Sequence, residues 1–293
     1  MQARHTAYLL TLLTILFWAG AASAFKLALQ ALTPAQLLAF ASTISLLVIL
    51  LILLLQHKLA LLRTLSLKQW GYLLLLGSIN PFLYYVILFA AYDRLPGQVA
   101  MSLNYLWPLM LALLAVPILK HPLSLRSLLA ILISFSGAVL IASQGSVKSF
   151  QVLDMPGILL ALSSTVVWAL YWLLSARIAI DTAVKLLVGF ISGSVLSLLF
   201  VIALDKGLSI ERPVPWLAVL YVGLFEMGIT FFIWLKALQL ADSAARIGNL
   251  IYLTPFLSLL LLSLIIDEKI YHSTLIGLLI IIAGILLQSK KEP

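Results

Sequence analysis

The sequence predicts an all-α membrane protein: ten transmembrane helices in two inverted five-helix repeats, residues 1–145 and 146–293, with both termini cytoplasmic. Three observations predict it. Hydrophobic residues make up 63% of the 293-residue chain and charged residues 10%, where soluble domains hold about half and about a quarter. The apolar runs are long enough to cross a bilayer, which takes about 20 residues per helix. The second half of the chain is a degraded copy of the first.

The copy is read directly. Trp70-Gly71-Tyr72 and Gly77 align with Trp216-Leu217-Ala218 and Gly223 at an offset of 146. After one extra residue in the second copy the offset becomes 147 and holds from Tyr105-Leu106-Trp107-Pro108 against Tyr252-Leu253-Thr254-Pro255 through Gly137 against Gly284. Upstream, Phe17-Trp18-Ala19 matches Val167-Trp168-Ala169 at 150. Each copy holds five apolar spans, and an odd number makes the second copy enter the membrane from the opposite face. Inverted repeats of this kind build secondary transporters, with the substrate site near the midplane where the halves meet.

The spans follow in order. The first, 7–29, begins after Arg4 and His5. Its apolar run and Ala22-Ser23-Ala24 have the look of a cleavable leader, but the match of Trp18 to Trp168 marks a structural helix. Leu32-Thr33-Pro34 opens the second, 34–55, with Thr33 as cap and Pro34 in the first turn. Trp70 starts the third, 69–91, at interface depth, as Trp216 starts the eighth, 214–236. The fourth, 97–118, and ninth, 243–265, carry Pro108 and Pro255 at equivalent positions. Proline removes an intrahelical bond and kinks a helix, so both spans are expected to bend. The fifth, 123–142, and tenth, 272–289, close each repeat with Gly137 and Gly284. A polar stretch from Ser143 links the repeats, and Asp154-Met155-Pro156-Gly157 opens the sixth, 156–177. The seventh, 182–204, contains Gly189 and Gly193, a small-residue pair read mainly as an internal packing face. A monomer or weak homodimer is expected.

Charge sets the orientation. The net charge is +8. With a cytoplasmic N-terminus, twelve Lys and Arg fall on cytoplasmic segments (Arg4, Lys58, Arg63, Lys68, Lys120, Arg126, Arg177, Lys185, Lys236, Arg246, Lys290, Lys291) and six on the other face. That is the positive-inside pattern, so the basic balance reports topology and not a nucleic-acid partner. The chain has no cysteine, which excludes disulfides and thiolate metal sites. The four histidines lie at span ends or loops with no ligand spacing, and no Walker A, H-E-x-x-H or Gly-x-Ser-x-Gly pattern occurs. The sequence therefore predicts no enzyme, no cofactor, no metal and no ATP hydrolysis.

Polar groups at mid-membrane depth are costly and face a cavity or a partner. Asn80, Asn104, Glu226 and Asn249 lie there, with Asn80 and Glu226 at equivalent repeat positions. Glu226 is the one carboxyl deep in a span. Desolvation penalises its charged form, so it is read either as a proton-coupling group or substrate-ammonium anchor, or as a neutral structural partner of Asn80. Aromatics share this depth: Tyr84 and Tyr85, Tyr105 and Trp107 beside Pro108, Trp168 with Tyr171 and Trp172, and Tyr252 before Pro255. Helical spacing groups Asn80 with Tyr84, Asn104 with Trp107, and Trp168 with Trp172. Rings with a few amides suit a small amphipathic solute. Lys26 is read as snorkelling to the interface.

Together these residues resemble the drug/metabolite transporter superfamily, in its ten-helix branch of two EamA-type repeats. The carriers are Trp18, the equivalent prolines and the Gly137/Gly284 helices. The string Asn104-Tyr105-Leu106-Trp107-Pro108, with Trp168-Ala169-Leu170-Tyr171, is similar to aromatic amino-acid exporters of that branch. The resemblance implies a multi-pass protein of the bacterial inner membrane that exports amino acids or similar small metabolites by alternating access. It also implies a central cavity lined by spans one, three, four, six, eight and nine, with Tyr84, Tyr85, Tyr105, Trp107 and Trp168 in its wall. Glu226 matches no motif of the family. Another metabolite or drug as cargo, or a non-transporting scaffold, are the competing functions; a scaffold would not need polar and aromatic groups at matched depth.

Overall fold

A computed structural model describes residues 2–119, 125–144, 154–204, 207–241 and 250–289. Asn249, His121, most of the linker and the basic residues Lys120, Lys148, Lys206, Arg246, Lys290 and Lys291 lie outside the described residues. Every described element is helical. The order is α1 (Gln2–Ala19), α2 (Ala21–Leu29), α3 (Pro34–Leu55), α4 (Leu67–Gly77), α5 (Tyr84–Arg94), α6 (Gly97–Asn104) and α7 (Trp107–Leu119). There follow α8 (Leu125–Ala142), α9 (Met155–Ser175), α10 (Thr182–Leu204), α11 (Trp216–Tyr221), α12 (Ile229–Leu240), α13 (Thr254–Ile266) and α14 (His272–Ser289).

Seven helical stretches among the described residues are long and apolar enough to cross a membrane, running 4–28, 34–55, 67–94, 97–118, 155–175, 182–203 and 216–240. Three shorter apolar helices, 128–142, 251–266 and 272–287, fall on the remaining predicted spans. Exposed leucines such as Leu9, Leu47, Leu132 and Leu264 cover the outer surface, as lipid-facing positions must. The chain is a multi-pass membrane protein.

The loop contacts sort into two ends. At one, Gln36 donates to the carbonyls of Gly207 and Ser209, and Arg94 pairs with Asp154 at 3.0 Å. At the other, Lys58 pairs with Asp181 at 2.7 Å, and Lys185 donates to the carbonyls of Ser175 and Ile178 that end α9. Sequence-legible caps are in place. Thr33 and Gln36 form a reciprocal capping box on α3, and the Asp154 carboxylate accepts from the Gly157 amide on α9.

Glycines set the close crossings. A Cβ on Gly193 would lie 2.8 Å from Pro81 Cδ, and one on Gly77 would lie 2.8 Å from Gly189 Cα. The Gly189/Gly193 pair thus serves internal packing of α10 on α4, as predicted. A Cβ on Gly277 would lie 2.6 Å from the Gly137 carbonyl, so α8 and α14, the last helices of the two repeats, lie against each other through glycine.

Five of the spans are interrupted, and the interruptions position the site. The first breaks at Gly20, and the freed carbonyls of Phe17 and Ala19 accept Tyr221 Oη (2.7 Å) and Ser258 Oγ (2.8 Å). Backbone groups within lipid need such partners. The expected bends of the fourth and ninth spans are present with a different geometry. Chain turns at Tyr105-Leu106 and 251–253 precede Pro108 and Pro255, which sit in the first turn of α7 and α13. Proline tolerates that position because its missing donor is not needed there. The third and eighth spans distort at Asn80 and Glu226, which the sequence reading did not anticipate. Asn80 leaves helical geometry (φ −145°, ψ 121°), whereas Val222–Gly228 winds a wide π-type turn. Ser45 Oγ satisfies the Gly223 carbonyl at 2.8 Å.

Candidate substrate cavity

The breaks surround a cavity of about 400 Å³ walled by both halves of the chain. Trp18 and Phe25 come from α1 and α2, Tyr84 and Tyr92 from α5, and Asn104, Tyr105 and Trp107 from the broken fourth span. Trp168 and Trp172 come from α9, Glu226 and Trp234 from the eighth span, and Ile251 and Ser258 from the ninth. The wall rings are connected, through Phe231 packed behind them. Tyr84 lies 4.6 Å from Trp168, Trp168 5.5 Å from Phe231, Phe231 6.2 Å from Trp18, and Trp18 5.9 Å from Trp234, centroid to centroid.

The polar groups are few and held. Asn104 donates from Nδ2 to Ser164 Oγ at 2.8 Å and accepts from the Tyr84 hydroxyl at 3.4 Å. The Tyr85 hydroxyl donates to Glu226 Oε1 at 3.1 Å, and Trp18 Nε1 donates to the Glu226 carbonyl at 3.3 Å. Glu226 is 9% exposed and lines the cavity. Among the described residues, the wall holds this one carboxyl and no basic side chain.

Eight of the twelve predicted site residues meet here: Trp18, Tyr84, Asn104 and Tyr105, with Trp107, Trp168, Trp172 and Glu226. Tyr85 is wholly buried behind the wall and acts on it through Glu226. Asn80 does not reach the cavity. The break turns it away from Tyr84 and into a separate small void beside Tyr171 and Lys185, where its Oδ1 has no partner. The expected Asn80–Tyr84 stripe and Asn80–Glu226 pair are therefore corrected: helical spacing lapses where the helix does. Tyr252 packs with Trp234 and Ile251 outside the wall, and Asn249 lies outside the described residues. The sequence reading missed Phe25, Tyr92 and Trp234. Trp234 lies beyond the wide turn at Val222–Gly228, so helical spacing from Glu226 does not point to it.

The ends of the cavity differ. Ala176 lines it and is exposed, which opens that end. At the other end Phe25, Tyr92 and Met101 are buried, with Phe25 stacked edge-on to Tyr92 at 5.0 Å and to Phe89 at 4.9 Å. Beyond them lies a polar lock. Glu268 accepts from the amides of Gly97 (2.9 Å) and Gln98 (3.0 Å) that start α6. The Gln98 side chain, 0% exposed, donates to the Lys269 carbonyl and accepts from the Tyr271 amide and Thr274 Oγ1. Lys26, read as snorkelling, instead caps the end of α5 by donating to the carbonyls of Tyr92 and Leu95 at 2.9 and 3.1 Å. A cation at a helix C-terminus is favourably placed.

The sequence profile of the EamA-like transporter family matches residues 5–143 and 155–289. An uncharacterized transporter of Archaeoglobus fulgidus is 26% identical over 290 residues, which is 97% of this chain and 98% of that protein. The aromatic amino acid exporter YddG of Ancylobacter novellus is 30% identical over 183 residues, 61% of this chain and 62% of that protein. A protein of known crystal structure superposes with a TM-score of 0.68 at 27% identity, covering 97% of this chain and 96% of its own.

Proposed function

The chain belongs to the EamA-like transporter family, and on that premise we propose that it is a secondary transporter. It exports amino acids with aromatic or neutral side chains, or similar ammonium-bearing small metabolites, by alternating access. The observation that carries this reading is the aromatic cavity walled by both repeats, with Asn104 and Glu226 set in it, open at one end and locked at the other. A scaffold has no use for such a wall. The similarity to an aromatic amino acid exporter supports the cargo class.

The two repeats, residues 1–145 and 146–293, act as the two bodies, and the ten spans predicted from sequence carry the chain across the bacterial inner membrane. Lys58, Arg63, Lys68, Arg177 and Lys185 gather at the open end, which the positive-inside rule makes cytoplasmic. Cargo then enters from the cytoplasm, stacks between Trp107 and Trp168, and leaves when the lock around Gln98 opens. Trp18, Tyr84, Tyr105 and Trp172 complete the binding wall, and Tyr85 positions Glu226. Counterflow of labelled amino acids in proteoliposomes tests the proposal. Saturable accumulation of at least one aromatic or neutral member is expected, and its absence across a panel of amino acids and amines refutes it.

A further inference from the structure

We infer that the cavity selects a cation: its favoured cargo is an aromatic amine or other organic monocation, and a free amino acid binds more weakly. The inference rests on the reading of this cavity as the substrate site and assigns its charge preference. An amino-acid zwitterion brings an ammonium and a carboxylate, and each must exchange water for protein partners. For the ammonium the wall is ready. Glu226 has one oxygen tied to Tyr85, and among the described residues that is the only hydrogen bond its carboxyl makes. Trp18, whose indole bonds the Glu226 carbonyl, lines the same cavity as Tyr84 and Trp168, and aromatic rings attract a cation.

For the carboxylate the described wall offers little. No Lys, Arg or His among the described residues lines it. Lys26 is spent on two carbonyls at the locked end, and Lys185 on two at the end of α9. A broken helix can present free amides to an anion. In the break of the fourth span the amides of Tyr105, Leu106, Leu109 and Met110 bond to carbonyls within the chain and Pro108 has none, which leaves the Trp107 amide, a neutral dipole, where the ammonium meets a carboxyl. Burying an anion is costly unless it is paired and hydrogen-bonded, and the described wall offers it neutral N–H and O–H groups but no cation. One carboxyl with an oxygen to spare, set among aromatic rings, is matched by one positive charge.

The test uses the full chain purified in detergent and four phenyl compounds that share one ring and differ in charge: phenethylamine, phenylalanine, 3-phenylpropionate and 2-phenylethanol. Binding is read from quenching of the cavity tryptophans and checked by calorimetry. Phenethylamine is expected to bind about tenfold or more tighter than phenylalanine, as fits a charge-assisted hydrogen bond without a carboxylate penalty, with 3-phenylpropionate weakest. Glu226→Gln should weaken phenethylamine by a similar factor and leave 2-phenylethanol within about twofold. The ligand series on the unaltered protein decides the matter should that variant fail to fold. Phenylalanine equal to or tighter than phenethylamine overturns the charge assignment. If 2-phenylethanol still binds and is lost in Trp168→Ala, the cavity itself stands as the site. If no compound binds, the cavity reading falls and the charge assignment with it.

Discussion

Replacing Gln98 with Ala should unlock the sealed end of the cavity. The side chain is wholly buried and makes three hydrogen bonds, to the Lys269 carbonyl (2.8 Å), the Tyr271 amide (3.0 Å) and Thr274 Oγ1 (2.7 Å). They join the start of the fourth span to the segment between the ninth and tenth spans and to the first turn of the tenth. Each bond contributes about 0.5–1.5 kcal/mol net, so their loss weakens the sealed state by about 2–4 kcal/mol. In an open state water meets the same groups, so the change falls on one side of the equilibrium. The sealed population then drops by about 30-fold to several hundred-fold relative to the open one. The assay uses the absence of native cysteine. Met101→Cys places a thiol in the cavity wall just inside the lock, at a residue 4% exposed. A membrane-impermeant thiol reagent added on the locked side should label Met101→Cys slowly and the Gln98→Ala double variant about 30-fold faster or more, the lower bound of the shift. Equal labelling rates, with the double variant still folded, would refute the lock.

Three further outcomes follow from the same geometry. Trp107→Ala and Trp168→Ala should each reduce transport strongly at near-normal expression, since the loss of one ring face costs about 0.5–2 kcal/mol of cation–π contact; wild-type rates in both would move the cargo elsewhere. Gly193→Val should lower the melting temperature in detergent without changing the mass in solution, because the added side chain meets Pro81 within the same chain and overpacking costs about 1–3 kcal/mol; a dimer that dissociates in this variant would contradict an internal role. Asp154 has its carboxyl held below the usual carboxylate range by the Gly157 amide and then by Arg94. A depressed folded value stabilises above the unfolded pKa and is lost as pH falls through the folded one, so Asp154→Ala should lower thermal stability at neutral pH and be silent at about pH 2; an equal effect at both would exclude the ionic contribution.

What could be read from the chain alone depended on how local the cause was. Thr33 with Gln36, and Asp154 with Gly157, are caps three residues long, and both appear as their sequence implies. The pairing of Gly189 and Gly193 needed only the rule that small residues mark close crossings, and Gly77 and Pro81 fill the other side. The cavity residues on intact helix, Trp168 and Trp172, followed from spacing. Asn80 did not, because its placement depends on a break at Asn80-Pro81, across which helical periodicity does not hold. The partner of Glu226 was also out of reach: the repeat alignment pointed to Asn80 at the equivalent position, whereas three-dimensional packing brings Tyr85, 141 residues away, to the carboxyl. Lys26 carried the same lesson. Its depth suggested the interface, yet unsatisfied carbonyls at the end of α5 hold it inside. Long-range polar contacts of this kind leave no periodic trace.

The central claim is that cargo passes through the cavity between the repeats, and blocking that cavity tests it most directly. Leu111 lines the wall on the α7 side, half-buried and apolar, and Leu111→Cys would be the sole thiol in the chain. Counterflow should proceed in the unmodified variant, stop after the thiol is capped with a bulky reagent, and recover on reduction, while saturating cargo should slow the capping. A fully capped Leu111→Cys protein that transports at the unmodified rate would contradict the account.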